Sequence, residues 1–573
     1  MSGAPDQREA TAAEALAPAQ IAADSVRIDE ERGRGVLGSA VVISLATLLS
    51  RVAGLCRDVL TAMLFGFGRE IDAFFLAFTI PNLFRKLFGE GALTSAMIPV
   101  LSRYKLRGDM QAVRRLLGTL VALLVLLLGA CCIAGLGIVW LLPSVWFGDA
   151  AKFDSFREHL TILLPYVIFI CLAALQAGAL NTWGRFGLPA LTPAIANLIW
   201  VAVLCSIWFS PLRAQPHIGV MVMAAGVLLS GVAQWALQAP ALRRHGLLSR
   251  PRLALDEPGL RQILRAMAPM LFALAVFQVN TFMDQLLAEL LVPGDGAVAS
   301  YGYASRLFQF PLGLVGVAVG TAMFPLMSKF AAGGEHDRLA AGLLNSCRLI
   351  AFVALPAAAG LAVLSLPVTT LLFSGPNSSP EMLARSALVA AMLCISLPLV
   401  SVLSLLTKAF YALGDHRTPT RFALIAVTVN FAANVILLQT PLLEAGLALG
   451  TAISGVVNLA LMLGALRRRL RGTLHAAEVA DAGGEPLARP MSRAQARRIP
   501  LDMLRAALVS GVMAAGAWAV EAGLRGATGL SGRFALVVSV GGAVLSGMAI
   551  YFALSAVLRA PELKQALRRR RAA

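Results

Sequence analysis

Apolar positions along this chain fall in long runs, broken at short intervals by Pro, Gly or clusters of Arg. Fourteen runs could supply the about 20 residues a helix needs to cross a bilayer. They are Val36–Phe65, Asp72–Ser102, Leu116–Trp146, Phe156–Trp183, Pro189–Phe209, Ile218–Leu237, Leu260–Leu291, Ala297–Lys329, Leu339–Phe373, Met382–Leu413, Pro419–Leu438, Leu443–Leu466, Leu501–Gly523 and Phe534–Leu558. Period-2 alternation is absent, which argues against an outer-membrane barrel. The pattern predicts an all-α polytopic membrane protein. Pro81, Pro165, Pro311 and Pro398 lie within spans and remove helix hydrogen bonds there. Such breaks are tolerated where protein or a wet cavity satisfies the freed carbonyl.

The runs repeat. "AMIPVLSRY" (Ala96–Tyr104) resembles "AMFPLMSKF" (Ala322–Phe330), with Pro, Ser and the basic residue in register. Gly184 and Pro189 in "WGRFGLP" share their spacing with Gly414 and Pro419 in "LGDHRTP". The offsets are nearly equal, so a block of about six spans occurs twice, both copies starting on the same side, as in parallel repeats. This predicts an N-lobe at 36–240, a basic linker at 241–258 and a C-lobe at 259–467. A second basic linker (468–500), two extra helices (501–560) and a basic tail (561–573) follow. A cavity between the lobes is the natural binding site.

Composition agrees with the pattern. The 573 residues are 58% hydrophobic and only 14% charged, with mean hydropathy +0.76, which excludes a soluble globule. Of the net +18 charge, the placement is more useful than the sign. "RYKLRGDMQAVRR", "LRRHGLLSRPR", "GDHRTPTR", "RRRLRG" and "KQALRRRR" alternate with "VPGDGAVAS", "FSGPNSSPE" and "QTPLLE", which are nearly free of Lys and Arg. The positive-inside rule puts the first set, and both termini, in the cytoplasm. The Arg clusters are read as topology determinants meeting anionic lipid, not as nucleic-acid sites. Residues 1–35, rich in Ala, Glu and Asp, read as a disordered tail rather than a signal peptide. The seven cysteines fall in apolar runs without metal-ligand spacing.

Charges inside spans are costly and mark function. "LSRVAGLCRDVL" places Arg51, Arg57 and Asp58 in the first span. The second carries Asp72, Asn82, Arg85, Lys86 and Glu90, and the eighth carries Arg306 just before Pro311. Ion pairs locking helices, such as Arg57 with Asp58, are one reading. Arginines from both lobes converging on a wet cavity are the other, and guanidinium there would bind phosphate or diphosphate. Gln278, Asn280, Asp284 and Glu289 in the seventh span, with Asn430 and Asn434 in the eleventh, form a second polar group. It could hold a hard cation or simply join helices. No Ser/His/Asp arrangement, metal spacing or Walker loop stands out, so no covalent chemistry is expected.

The runs "SRVAGLCRDVL", "DAFFLAFTIPNLFRKLFGEGALTSAMIPVL", "ALNTWGRFGLPALTPAIAN", "FPLGLVGVAVGTAMFPLMSKF" and "KAFYALGDHRTPT" resemble the MurJ/MviN family of lipid II flippases, from about Val36 to the end. The resemblance implies two six-helix lobes plus two helices, in the superfamily of multidrug, oligosaccharide-lipid and polysaccharide exporters. It implies transfer of lipid II, an undecaprenyl-diphosphate-linked muropeptide, across the bacterial inner membrane for cell wall synthesis. The family's cavity arginines correspond to Arg51, Arg57, Arg85 and Arg306, and its essential acid to Asp72. Its lipid-tail groove would lie at Leu501–Leu558. In sodium-binding relatives the ion site corresponds to Asp284, Asn430, Asn434 and Thr451, implying Na+ or another monovalent cation. Membrane lipids and cell wall synthesis proteins are the implied partners, and a monomer the implied state. This chain departs from some relatives at Ser305 and Gln309, where they carry acids. The rival readings are an exporter of drugs or polysaccharide units, which predicts fewer arginines in the first two spans, and a membrane enzyme, which predicts a catalytic residue on a sizeable outer loop.

Overall fold

The computed structural model describes residues 42–144, 149–313, 316, 318–470, 493–527 and 532–563. The expected tail 1–35 and most of the basic segments 468–500 and 561–573 lie outside the described residues. The N-lobe comprises α1 (42–65), α2 (Arg69–Phe84), α3 (Leu93–Leu106), α4 (Met110–Leu141), α5 (Ala150–Leu163), α6 (Tyr166–Thr182), α7 (Gly187–Trp208) and α8 (Pro216–Arg244). The C-lobe comprises α9 (Pro258–Leu291), α10 (Ala297–Leu312), α11 (Ala318–Ala332), α12 (His336–Val363), α13 (Ser365–Phe373), α14 (Pro380–Ala412), α15 (Arg417–Leu437) and α16 (Ala445–Leu470). The pair α17 (Arg493–Ala527) and α18 (Gly532–Val557) packs on itself and on α12.

Among the described residues, eleven helices are long and apolar enough to cross a membrane, with α5 and α6 counted as one. The three remaining expected crossings are α1, α2–α3 and α10–α11. Their exclusion has a cause. Every 18-residue stretch of α1 contains Arg51, Arg57 and Asp58, and the other two are interrupted. A π-helical segment, Arg85–Ala92, separates α2 from α3, and π turns at Gly313 and Gly316 separate α10 from α11. A π turn inserts an extra residue per turn and recurs at functional sites.

The internal repeat extends to hydrogen bonds. α6 ends at Gly184 (φ +75°) and α14 at Gly414 (φ +73°). After the first, Arg185 N donates to Leu180 O; after the second, Asp415 N donates to Phe410 O, both at 2.9 Å. These are equivalent six-to-one closures, which need a left-handed residue that glycine supplies without strain. Gly108 (φ +70°) and Gly334 (φ +68°) likewise terminate α3 and α11, the helices that carry the two "AM-P" copies.

Packing differs between the two ends of the bundle. At the end holding the Arg-poor loops, one continuous core joins Phe67, Ile71 and Phe74 of the N-lobe to Val298, Tyr303, Phe373 and Leu383 of the C-lobe. At the Arg-rich end the C-lobe has its own core, including Met327, Phe330, Leu339, Leu406 and Phe410. The lobes therefore share a core at one end, while at the other α11, α12, α14 and α16 pack separately and only the start of α9, with Leu260 and Ile263, joins the N-lobe core. α9 bridges them, its first half against α3 and its last half against α15; Tyr104 Oη donates to Glu257 Oε1 (2.8 Å) at its start.

Candidate functional site

α1 brings the first part of the site. Arg57 Nε and Nη2 donate to Asp58 Oδ1 at 3.0 and 2.7 Å, and Nη1 donates to Asn197 Oδ1 of α7 at 2.8 Å. The guanidinium also lies 4.7 Å from the centre of the Trp200 ring, a cation–π distance. Asn197 Nδ2 in turn donates to Ser50 O at 3.0 Å. Arg57 is thus fixed by three kinds of contact within the N-lobe. Asp58 uses its other oxygen across the lobe boundary, 3.8 Å from Arg306 Nε on α10.

The remaining arginines gather around this pair. Gly313, just past α10, is close enough to Arg51 that an added methyl would sit 3.0 Å from its Nη2. Arg85 Nε and Nη2 donate to Asn82 Oδ1 at 3.1 and 2.8 Å, which holds the side chain at the mouth of the π segment. Arg51, Arg57 and Arg306 thereby meet across the two lobes, with Asp58 the carboxylate that contacts two of them, while Arg85 is held by Asn82 on the N-lobe side. The Arg306 side chain as a whole is 37% exposed. Lys86, beside Arg85, is half-buried. The side chain of Glu90 lies outside the described residues.

Asp72 stands elsewhere. Its carboxylate is fully buried and accepts from Gly296 N (2.6 Å), Ala299 N (2.7 Å) and Lys152 Nζ (3.0 Å). Gly296 (φ +91°) begins α10 and has no side chain to cap it, so Asp72 caps the C-lobe helix from the N-lobe. A carboxylate is favoured at a helix N-terminus by its free N–H groups and dipole. Lys152 also lies 3.0 Å from Glu289 and 3.6 Å from Asp295, both on the C-lobe side. Around this polar latch, Tyr303 Oη donates to Gly66 O (3.2 Å) and Asn377 Nδ2 to Leu64 O (2.8 Å). The latch closes the Arg-poor end. Neither Lys152 nor its role was visible in the sequence pattern, which left it in a loop.

The second polar group is compact. Asn434 Nδ2 donates to Asp284 Oδ1 (2.7 Å) and Asn430 Oδ1 (3.1 Å), while Tyr301 Oη reaches Asp284 Oδ2 (3.5 Å). Rotating the Asn430 amide lets its oxygen accept from Thr451 N (3.2 Å) and its nitrogen donate to Asn280 Oδ1 (3.1 Å), in exchange for the bond from Asn434. Asp284, Asn430 and Asn434 are all buried, and Asn434 Oδ1 has no hydrogen-bond partner. Asp284, the two amides and the adjacent Thr451 each carry a side-chain oxygen of the kind a hard cation takes, although Asn434 here turns its Nδ2 toward Asp284 and Asn430. The orphaned Asn434 oxygen is the feature a cation would satisfy. Glu289, grouped with these residues by sequence, belongs to the latch instead.

The family model described as "Lipid II flippase MurJ" matches residues 61–483. A probable lipid II flippase MurJ of Vibrio cholerae is 36% identical over 77% of this chain and 84% of its own length. The lipid II flippase MurJ of Burkholderia cenocepacia is 32% identical over 75% of this chain and 83% of its own. Among solved structures, a lipid II flippase MurJ in an inward closed conformation superposes with TM-score 0.70 at 22% identity, over 90% of this chain and 98% of that one. An inward-facing multidrug transporter of the MATE family gives TM-score 0.63 at 15% identity, over 77% and 99% of the two chains.

Proposed function

Because the chain belongs to the MurJ family of lipid II flippases, we propose that it carries lipid II from the inner to the outer leaflet of the bacterial cytoplasmic membrane. The observation that carries this reading is the meeting of Arg57 and Arg306, from opposite lobes, on the single carboxylate of Asp58.

The Arg-rich end, with its separate lobe cores, faces the cytoplasm, and so do both termini. The latched end faces outward. A diphosphate entering from the cytoplasm meets Arg51, Arg85 and Arg306, and its oxygens compete with Asp58 for the last of these. Guanidinium offers paired N–H donors that match phosphate geometry. Neutralising the arginines removes their mutual repulsion, so the lobes draw together at the Arg-rich end. The latch then opens outward, and Lys152 parts from Glu289 while the N-terminus of α10 leaves Asp72. The polyprenyl tail stays in lipid throughout, along α17 and α18. No bond is made or broken in the cargo.

Energy comes from the membrane. An inside-negative potential drives an anion outward by about 2.3 kcal/mol per charge per 100 mV. Asp284, Asn430, Asn434 and Thr451 would hold Na+ or another monovalent cation, whose inward gradient resets the carrier. Each of those residues has a side-chain oxygen to offer such an ion once the Asn434 amide turns.

The test is the exposure of lipid II to an external probe after rapid depletion of the protein. Outer-leaflet lipid II should fall while the inner pool rises. Unchanged exposure would reject the transport role.

A further inference from the structure

A second constellation sits beside the latch, on the N-lobe alone. It joins three helices that the sequence keeps far apart: Glu70 in the first turn of α2, Glu158 and His159 in α5, and His217 in the first turn of α8. Glu70, His159 and His217 each offer one ligand atom, all within 4.8 Å of one another. Glu70 Oε2 is 3.1 Å from His217 Nδ1 and 3.7 Å from His159 Nε2. Donors bound about 2.0–2.2 Å from a tetrahedral Zn2+ are separated by roughly these distances.

Two features set the group apart from a chance meeting of charges. His159 is fully buried, and neither of its ring nitrogens has a hydrogen-bond partner. A buried imidazole left unsatisfied is costly, and a metal at Nε2 relieves the share of that cost that falls on Nε2. The other ligands are also oriented from behind. Glu158 Oε2 stands 3.1 Å from His217 Nε2 at ion-pair distance, without a hydrogen bond of its own, while Nδ1 is hydrogen-bonded to Glu70 Oε2. Ser155 Oγ donates to Glu70 Oε1 at 3.0 Å, leaving Oε2 for the cluster. A carboxylate behind a ligating imidazole is the usual outer shell of a zinc site.

We propose that Glu70 Oε2, His159 Nε2 and His217 Nδ1 bind a divalent transition metal of the Zn2+ class, with the fourth position open to water. Two imidazoles favour such an ion over Mg2+ or Ca2+. His217, 45% exposed on its side chain, provides access from solvent. The metal staples α2, α5 and α8 together. Asp72 lies two residues beyond Glu70, and Lys152 two helical turns before His159, so the staple fixes the two N-lobe members of the latch. Metal from outside the cell would thereby stiffen the closed outer end.

Zn2+ binding to the purified full-length protein tests this, by calorimetry and by metal content after desalting, with Mg2+ as control. One equivalent should bind, and Co2+ in its place should give the visible absorption of a four-coordinate site. His217→Ala, at an exposed position, should weaken binding at least about 100-fold, and Glu158→Gln by roughly 10- to 100-fold. Zn2+ should raise the melting temperature of the wild type and not that of His217→Ala. His159→Asn gives a second, buried ligand variant. Absence of stoichiometric Zn2+, or affinity unchanged in both His217→Ala and His159→Asn, overturns the proposal.

Discussion

Asp72→Asn removes one negative charge from the latch while keeping the shape of the side chain. In the closed state Asp72 serves Gly296 N, Ala299 N and Lys152 Nζ. An asparagine oxygen can still accept from one backbone N–H. The other N–H loses a charged acceptor, an interaction of about 1.5–3 kcal/mol. Lys152 loses one of its partners but keeps Glu289 at 3.0 Å, so the cost stays below the roughly 3–5 kcal/mol of a wholly broken buried pair. Together these give about 2–4 kcal/mol against the closed state. At 1.4 kcal/mol per factor of ten, that is a shift of roughly 30- to 700-fold. A protein about 1% open at this end would become between about a quarter and nine-tenths open. Spin labels at Asp154→Cys on α5 and Glu381→Cys on α14, both exposed, report the separation of the lobes at the latched end. Native cysteines, of which Cys56 and Cys131 are exposed, must first be replaced. Double electron–electron resonance should show a second, longer distance in Asp72→Asn. Lys152→Met should move the same equilibrium, and the double variant should move it by less than the sum. Superimposable distance distributions in the wild type and both single variants would refute the latch.

Other outcomes follow from the same geometry. Arg57→Ala and Arg306→Ala should insert at wild-type levels yet fail to complement depletion of the protein; full growth with both would sink the arginine site. Gly450→Ala should disable the cation site without replacing a ligand residue, because a methyl there overlaps Asn434 Oδ1. Any stabilisation by Na+ in thermal melts should vanish in that variant, and survival of the effect would dismiss the site. Asp415 supplies a pH test outside the membrane. Burial acts to raise its carboxyl, but donors from Thr418 and the nearby Arg469 outweigh burial and hold it below the ordinary 3.8. A depressed carboxyl stabilises the fold above the unfolded value and loses that effect as pH falls through the folded one. The melting-temperature gap between wild type and Asp415→Asn should therefore close below about pH 3.8, whereas a gap constant with pH would show that the charge is irrelevant.

The span pattern was legible because crossing a bilayer demands an apolar run, and such a demand leaves a local signature. The arginines were legible for the complementary reason that charge within such a run is anomalous. The latch was not. Lys152 lies just before an apolar run, and its partner Asp72 is 80 residues earlier, so no local window pairs them. Glu289 shows a different failure. Spaced five residues after Asp284, it lies about 140° around α9 from it, and so faces Lys152 while Asp284 faces Asn434. Asn280 and Asp284, four apart, do share a face. His159 and His217 were invisible as a pair, since their helices meet only when the N-lobe folds. Repetition, by contrast, could be read down to the turn, because a left-handed closure at Gly184 and Gly414 leaves its mark as a glycine.

The pairing of Arg57 with Asp58 also bears on how the chain is made. α1 reaches the membrane during synthesis long before Arg306 exists to share its carboxylate. Each full charge at the centre of an inserting helix adds about 2.5–3.5 kcal/mol. Two arginines and one aspartate would exceed what the flanking leucines and valines offset if each entered as a free ion. With neighbouring residues joined at 2.7 Å, two of the three charges enter as a neutral unit. Asp58 thus lets the nascent α1 settle in lipid without waiting for the second lobe.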